Sequence, residues 1–310
     1  MSWREFLLGK RRRKDVAEFS LHLMDNILGL HNDLENKTYR HGGYHAFKIN
    51  DPKPRDIHKA SVRDRLVHHA IYRILYPYFD KRFIHDSYSC LDGKGTHRAV
   101  NRFKYFAGKV SRNNTRTVWV LKCDIKKFFA NIDHGVLQDI LMRHIQDEDV
   151  LWLLYKVIDS FHTQCRRGVG LPLGNLTSQL LVNIYMNEFD HFVKRELKAK
   201  YYTRYADDFV ILSEDKDYLE EICLAIGKFL AANLKLELNL DKTSIQTLAS
   251  GVDFLGYVIF PQHVVLRTTT KRRAFKRVNK NNLPSYLGLV SHCKGYKIAE
   301  RFKEIAEYKD

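Results

Sequence analysis

Tyr201-Tyr-Thr-Arg-Tyr-Ala-Asp-Asp-Phe-Val-Ile-Leu-Ser213 sets two aspartates side by side between two apolar segments. The aromatic and β-branched residues on both sides read as strands, so a tight turn between them holds the Asp207 and Asp208 carboxylates at one tip. Burying two adjacent negative charges against apolar walls is costly without a cation or hydrogen-bond donors, and hard oxygen ligands favour magnesium or manganese. Taken alone, an Asp-Asp pair in a hairpin is ordinary turn chemistry.

A second segment bears on that choice. Thr117-Val-Trp-Val-Leu-Lys-Cys123 reads as an apolar strand ending at Asp124, followed by Phe128-Phe129 and by Asp133 where a helix N-cap is expected before Val136, Ile140 and Leu141. Asp133 is read as that cap. Asp124 supplies the third carboxylate that the hairpin pair lacks. Three carboxylates on two adjacent strands can bridge two cations, which clamp the attacking and leaving oxygens of an in-line phosphoryl displacement.

At this point the chain resembles a reverse transcriptase. The Tyr205-Ala-Asp-Asp208 box, the Asp124 strand with its aromatic pair, Gly170-Leu-Pro-Leu-Gly-Asn-Leu-Thr-Ser-Gln179, Asn239-Leu-Asp-Lys-Thr243 and Phe254-Leu-Gly-Tyr257 look like successive family motifs in family order. The finer likeness is to the enzymes of diversity-generating retroelements, within the group II intron-like prokaryotic superfamily. Most relatives carry glutamine where Leu173 stands and end that motif in Ser-Pro, whereas this one ends in Leu-Thr-Ser-Gln. Pro52-Lys-Pro-Arg55, Arg63-Asp-Arg-Leu-Val-His-His-Ala70 and Ser89-Cys-Leu-Asp-Gly-Lys-Gly-Thr-His97 carry the same likeness.

The resemblance implies an α+β right-hand polymerase fold: an N-terminal segment and fingers over 1–117, a palm of antiparallel sheet backed by helices over 118–260 with fingers elements interleaved near 145–175, and a short basic thumb over 261–310. It implies an RNA-directed DNA polymerase that makes cDNA with frequent errors opposite adenine, for targeted gene diversification. Asp124, Asp207 and Asp208 become the carboxylates for two Mg2+ ions, with Mn2+ as a substitute, and Ile125 lends a backbone carbonyl. Lys242 matches a lysine able to protonate the pyrophosphate leaving group. Phe129 corresponds to a steric gate against the ribose 2′-hydroxyl, while Phe128 reads as core. Arg55 and Arg63 are candidates for triphosphate contact, because a guanidinium fork suits phosphate oxygens. Leu173 and Gln179 complete the nucleotide pocket, and Phe254, Leu255, Gly256 and Tyr257 resemble a primer grip. The expected partners are a template RNA, an RNA or DNA primer, dNTPs and a small basic accessory protein.

Composition agrees with a polyanionic partner. Lys and Arg number 52 against 36 Asp and Glu, a formal charge of +16, and phosphate contacts supply most sequence-independent nucleic-acid affinity. Lys271, Arg272, Arg273, Lys276, Arg277 and Lys280 concentrate that charge where the resemblance expects a thumb on the template-primer duplex. The five cysteines, Cys90, Cys123, Cys165, Cys223 and Cys293, form no Cys-x-x-Cys pair and read as free thiols in a reducing compartment. No stretch reaches transmembrane length and the N-terminus has the wrong order for a secretory signal, so a cytoplasmic protein of a prokaryotic cell is expected.

Periodicity predicts a helix over residues 14 to about 35, a second from Arg63 to Tyr78 closed by Pro77, helices near 134–144 and 149–161, a long helix from about Ser178 with that serine as cap, and another near 216–232. Leu234, Leu236, Leu238 and Leu240 alternate as a half-buried strand would. Of the fifteen histidines, His68, His69 and His134 have no companion carboxylate or cysteine at ligand spacing and read as structural or as nucleic-acid contacts. Two other readings stay open: a reverse transcriptase of a group II intron or phage-defence lineage, and a non-catalytic RNA-binding protein on the same fold. The lack of a maturase extension or nuclease Cys/His cluster after the thumb argues against a full group II intron protein, and an intact acidic triad argues against the non-catalytic reading.

Overall fold

The computed structural model describes residues 1–50, 54–163 and 166–308; Pro52 and Lys53 of the proline run and Cys165 lie outside the described residues. In chain order the elements are helices α1 (Ser2–Phe6), α2 (Lys14–Leu21) and α3 (Leu23–Glu35), strands β1 (Tyr44–Asn50) and β2 (Pro54–Ala60), helices α4 (Val62–Asp80) and α5 (Thr96–Val110), and strand β3 (Trp119–Asp124). Helices α6 (His134–His144), α7 (Glu148–Ile158) and α8 (Leu176–His191), strands β4 (Tyr202–Tyr205) and β5 (Asp208–Ser213), and helix α9 (Lys216–Leu234) follow. Strands β6 (Ser244–Thr247), β7 (Val252–Phe254), β8 (Tyr257–Ile259) and β9 (Val264–Leu266) then lead to helices α10 (Thr268–Arg277), α11 (Leu283–Val290) and α12 (Tyr296–Tyr308). Among the described residues no helix is long and apolar enough to cross a membrane.

The chain packs as two compact units: Met1–Ile84 with Ile125–His191 and Phe229–Glu237, and His85–Asp124 with Phe192–Lys228 and Leu238–Asp310. The first unit is mainly helical. Ser61 caps α4 by accepting from the Asp64 N–H, and its hydroxyl donates back to the Asp64 carboxylate at 2.6 Å, a reciprocal cap that fixes where the helix starts. Helix α4 packs on α8, burying Leu66, Ile71, Leu75 and Phe79 on one side and Leu181, Ile184, Tyr185 and Phe189 on the other, so the α8 stripe is core, as its periodicity predicts. Asp133 caps α6 by accepting from the Val136 N–H at 3.0 Å. Strands β1 and β2 form an antiparallel hairpin, largely exposed.

The second unit is built on a four-stranded antiparallel sheet in the order β4-β5-β3-β6. A second sheet, β7-β8-β9, shares one apolar core with α5 and the C-terminal helices, through Phe103, Phe106, Val120, Phe254, Tyr257, Val290 and Phe302.

Four local expectations are corrected. The first long helix breaks at His22 (φ −117°, ψ 39°) into α2 and α3, and Asn26 spans the break with a side-chain hydrogen bond to the Phe19 carbonyl. Helix α4 runs through Pro77 to Asp80, because Phe79 is buried and the Tyr78 hydroxyl bonds the His144 carbonyl, contacts that outweigh one lost backbone hydrogen bond. Ser178 is buried inside α8 rather than capping it. The alternating leucines form no strand: Leu234 ends α9, Lys235 turns the chain at φ 48°, Leu236 is buried and Leu240 is 80% exposed. The strand in this region begins only at Ser244.

Candidate active site

In the second unit, antiparallel pairing puts Asp124 at the end of β3 directly opposite Asp208 at the start of β5. Tyr205 pairs with the same Asp208, which leaves Ala206 and Asp207 as a two-residue turn. Ala206 sits at φ 56°, a left-handed conformation that costs a residue with a Cβ. The register therefore brings three carboxylates to one end of the sheet.

Their surroundings differ. Asp124 accepts from Lys242 Nζ at 2.7 Å and from Asn239 Nδ2 at 3.2 Å, and its backbone carbonyl accepts from the Asn239 N–H at 2.8 Å. Asp208 has Oδ1 buried with no hydrogen-bond partner. Burial pushes its carboxyl up to about 7; Lys122 opposes the shift, while Asp207, Asp124 and Asp253 add to it. Among the described residues no three acidic, histidine or cysteine side chains close on one point as a metal cage. The donor set still fits a hard divalent cation: three carboxylates, one with an orphaned buried oxygen, are what such an ion would satisfy. Asn239 was not singled out from the sequence, although it opens the Asn-Leu-Asp-Lys-Thr segment that contains Lys242.

The expected nucleotide-pocket residues lie in the first unit. The loop after Gly170 is stitched down on two sides: the Leu171 N–H donates to the Phe129 carbonyl at 2.8 Å, and the β2 residue His58 donates its N–H to the Leu173 carbonyl at 3.0 Å. Asn175 Nδ2 then donates to the His58 carbonyl at 2.8 Å. Phe129, Leu173 and strand β2, which carries Arg55 exposed to solvent, are thus brought together. Gly174 has φ +101°, and a Cβ there would meet Ile57 Cγ2 at 2.7 Å, so the close approach of loop and strand requires glycine. Phe128 is buried and Phe129 half-buried, Ile125 is buried, and Gln179 is half-buried on the first turn of α8.

Arg63 is differently employed than expected. It pairs with Asp33, donates to the Arg40 carbonyl and lies 4.9 Å from the Tyr39 ring centre. Of the primer-grip candidates, Phe254 and Tyr257 are fully buried core residues, and only Leu255 (φ 51°) and Gly256 (φ 90°) form the tip, the two positive φ values a tight hairpin demands. On α10, Lys271, Arg272, Lys276 and Arg277 are exposed, as is Lys280 beyond it, and Arg273 is half-buried; Ala274 and Val278 face the core. His68 is buried and shares a hydrogen bond with His41 at 3.0 Å, and His134 bonds the Gly170 carbonyl at 2.7 Å, both structural contacts. The described cysteines are free.

An antiparallel sheet bearing paired acids at a hairpin, with helices packed on it, defines a protein of the α+β right-hand polymerase class. The chain belongs to the reverse transcriptase (RNA-dependent DNA polymerase) family, whose model matches residues 48–259. It is 29% identical over 233 residues to Protein YkfC of Escherichia coli, covering 64% of this chain and 61% of that protein. It is 27% identical over 312 residues to the group II intron-encoded protein LtrA of Lactococcus lactis, covering 78% of this chain and 50% of that protein. The chain therefore spans less than two thirds of the length of either relative. In fold it is similar to apo telomerase of Candida tropicalis, with a TM-score of 0.56 at 12% identity, covering 79% of this chain and 60% of that one.

Proposed function

We propose that the chain is an RNA-directed DNA polymerase that copies a template RNA into cDNA. The observation that carries this reading is the registered pair Asp124 and Asp208, with Asp207 in the adjoining turn and an unsatisfied buried oxygen on Asp208, in a chain of the reverse transcriptase family. Asp124, Asp207 and Asp208 would hold two Mg2+ ions, with Mn2+ as a substitute and the Ile125 carbonyl as a further ligand. Bound there, the ions would activate the primer 3′-hydroxyl and neutralise charge on the leaving pyrophosphate. Asn239 and Lys242 hold the Asp124 carboxylate by hydrogen bonds, and Lys242 would carry a proton toward the leaving group.

Phe129 excludes ribonucleotides by volume beneath the sugar, Arg55 and Gln179 contact the incoming nucleotide, the Leu255-Gly256 tip meets the primer, and the cations of α10 hold the duplex backbone. An N-terminal segment and fingers over 1–117, a palm over 118–260 with fingers elements interleaved near 145–175, and a thumb over 261–310 is the division we assign to these roles. Leu173 and the Leu-Thr-Ser-Gln ending support the diversity-generating type, error-prone opposite adenine and working with a basic accessory protein. The likeness to LtrA supports a second reading, a group II intron lineage.

Primer extension on an RNA template with magnesium tests the enzyme reading. Wild type should extend and Asp207→Ala should not. No extension by wild type, with its cognate RNA and accessory protein supplied, overturns it. Sequencing the cDNA separates the two lineages: errors concentrated opposite adenine favour the diversity-generating type.

A further inference from the structure

Arg204, two residues before Ala206, is fully buried, with 0% of its surface exposed. Few side chains are costlier to bury, and such a guanidinium persists only where its donors are used. One terminal nitrogen, Nη1, donates to the Ala206 carbonyl at 3.0 Å, and Nη2 donates to Ser87 Oγ at 3.0 Å. The backbone around it is tied to the same outside segment: the Arg204 N–H donates to the Asp86 carbonyl and the Tyr88 N–H donates to the Arg204 carbonyl. Thr203 Oγ1 bonds the Asp86 carbonyl as well. That segment is itself anchored, because the Asp86 carboxylate pairs with Arg102 and Lys194.

The Ala206 carbonyl is a group of the turn that presents Asp207 and Asp208, and Ala206 is its strained residue at φ 56°. A β-hairpin would reach this geometry more easily with glycine at that position. We propose that Arg204 is a positioning residue that clamps the acidic turn: its guanidinium ties the Ala206 carbonyl to Ser87 and so holds the alanine in its left-handed conformation, in the turn that carries Asp207 and leads into Asp208 opposite Asp124. The inference rests on the polymerase reading of the same site. Arg204 touches no reacting atom in this account; it fixes where the acids stand, and misplacement of about 1 Å at such a site costs roughly 100-fold in rate.

The test is steady-state extension of oligo(dT) on poly(rA) by the full chain, read as kcat and as the magnesium concentration for half-maximal rate, with melting temperature recorded alongside. Arg204→Lys and Arg204→Met should each lower kcat by roughly 10- to 100-fold and raise the magnesium midpoint, measured at a temperature where the variant is folded. Ala206→Gly, which removes the strain that the clamp opposes, should restore part of kcat in the Arg204→Lys background. A kcat within twofold of wild type in the folded Arg204→Lys protein overturns the inference, as does a loss of activity that tracks unfolding alone with an unchanged magnesium midpoint, or a failure of Ala206→Gly to restore any rate. If Arg204→Met does not fold, Arg204→Lys and Ser87→Ala carry the same comparison, Ser87→Ala lowering kcat less than either arginine change. A wild-type chain that does not extend the primer under any supplied condition overturns the polymerase reading instead, so the two failures are distinct.

Discussion

Asp64, buried, and Asp208, half-buried with one buried carboxylate oxygen, lie one in each compact unit, and their neighbourhoods are opposites. Asp64 accepts from the Tyr39 hydroxyl at 2.7 Å, from the Ser61 hydroxyl at 2.6 Å and from the Gly42 N–H at 3.1 Å. Its neighbour Arg63 is neutralised by Asp33. Asp208 instead leaves one buried oxygen without a partner, stands across from Asp124 in the strand register and follows a strained turn. Satisfied polar groups stabilise a fold, whereas close, unsatisfied carboxylates repel one another until a proton or a bound cation relieves them. Asp64 thus has the partners of a structural carboxylate, whereas Asp208 keeps a buried oxygen that a cation could satisfy.

The largest expected effect breaks this comparison or upholds it directly. Asp124→Ala should lower primer extension by roughly 1,000-fold or more while changing melting temperature little. Asp64→Asn should do the reverse, destabilising by about 1–3 kcal/mol through its lost acceptor bonds with kcat of the folded protein nearly unchanged. Thermal melts and single-turnover extension on both variants measure it; a stable but inactive Asp64→Asn would erase the distinction. Next in size, Phe129→Ala should relax discrimination against ribonucleotides by roughly 10- to 100-fold, the scale of a steric rejection, read as the ratio of kcat/KM for dNTP and NTP. Unchanged discrimination would remove Phe129 from the proposed nucleotide-binding residues.

Legibility followed locality. The acidic turn, the Asp124 strand and the Asp133 cap were readable because each depends on residues within a few positions of one another. The α8 stripe was readable for the same reason, since periodicity is a local signal. The leucines from 234 to 240 misled because period two fits a strand, yet Lys235 adopts a positive φ and the segment bends so that Asn239 can bond Asp124. Neither fact has a signature in composition. The pairing of Arg63 with Asp33 could not be read because the two are 30 residues apart in sequence, and Arg204 was passed over because an arginine beside a tyrosine says nothing about burial until the Asp86–Tyr88 segment is laid against it. What the sequence hides is long-range: which polar group ends up satisfied by which distant partner.

A smaller effect sharpens the electrostatic half of the comparison. Asp208 takes up its proton in the folded chain at about 7, well above the usual value near 3.9 for an unfolded aspartate. Between those values the folded state binds the extra proton, so in EDTA the contribution of this group to stability is fully present below about pH 4 and is lost as pH rises through about 7. Magnesium should counter that loss by binding the ionised acids. Melting temperature against pH, with and without magnesium, shows the slope, and Asp208→Asn should flatten it. A pH profile identical in wild type and Asp208→Asn would mean that the repulsion is not stored there.

The smallest expected effect lies in the first unit and concerns choice rather than rate. Leu173 is held by its backbone, since its carbonyl accepts from His58 and the next residue, Gly174, packs against Ile57; its side chain is half-buried and offers contact without direction. A glutamine there would keep the backbone bond, because that bond uses no side-chain atom, and would add an amide able to hydrogen-bond a correctly posed nucleotide. Site-built hydrogen bonds penalise a misfit more than apolar contact does. Leu173→Gln should therefore lower misincorporation opposite adenine by roughly 3- to 10-fold, corresponding to about 0.6–1.4 kcal/mol of added discrimination, with kcat for correct dNTPs changed less than threefold and magnesium dependence not at all. Sequenced cDNA from an adenine-rich template measures the first and steady-state extension the other two. An unchanged error spectrum would remove Leu173 from the choice of nucleotide, while a shifted magnesium midpoint would show that Leu173 acts through the acids.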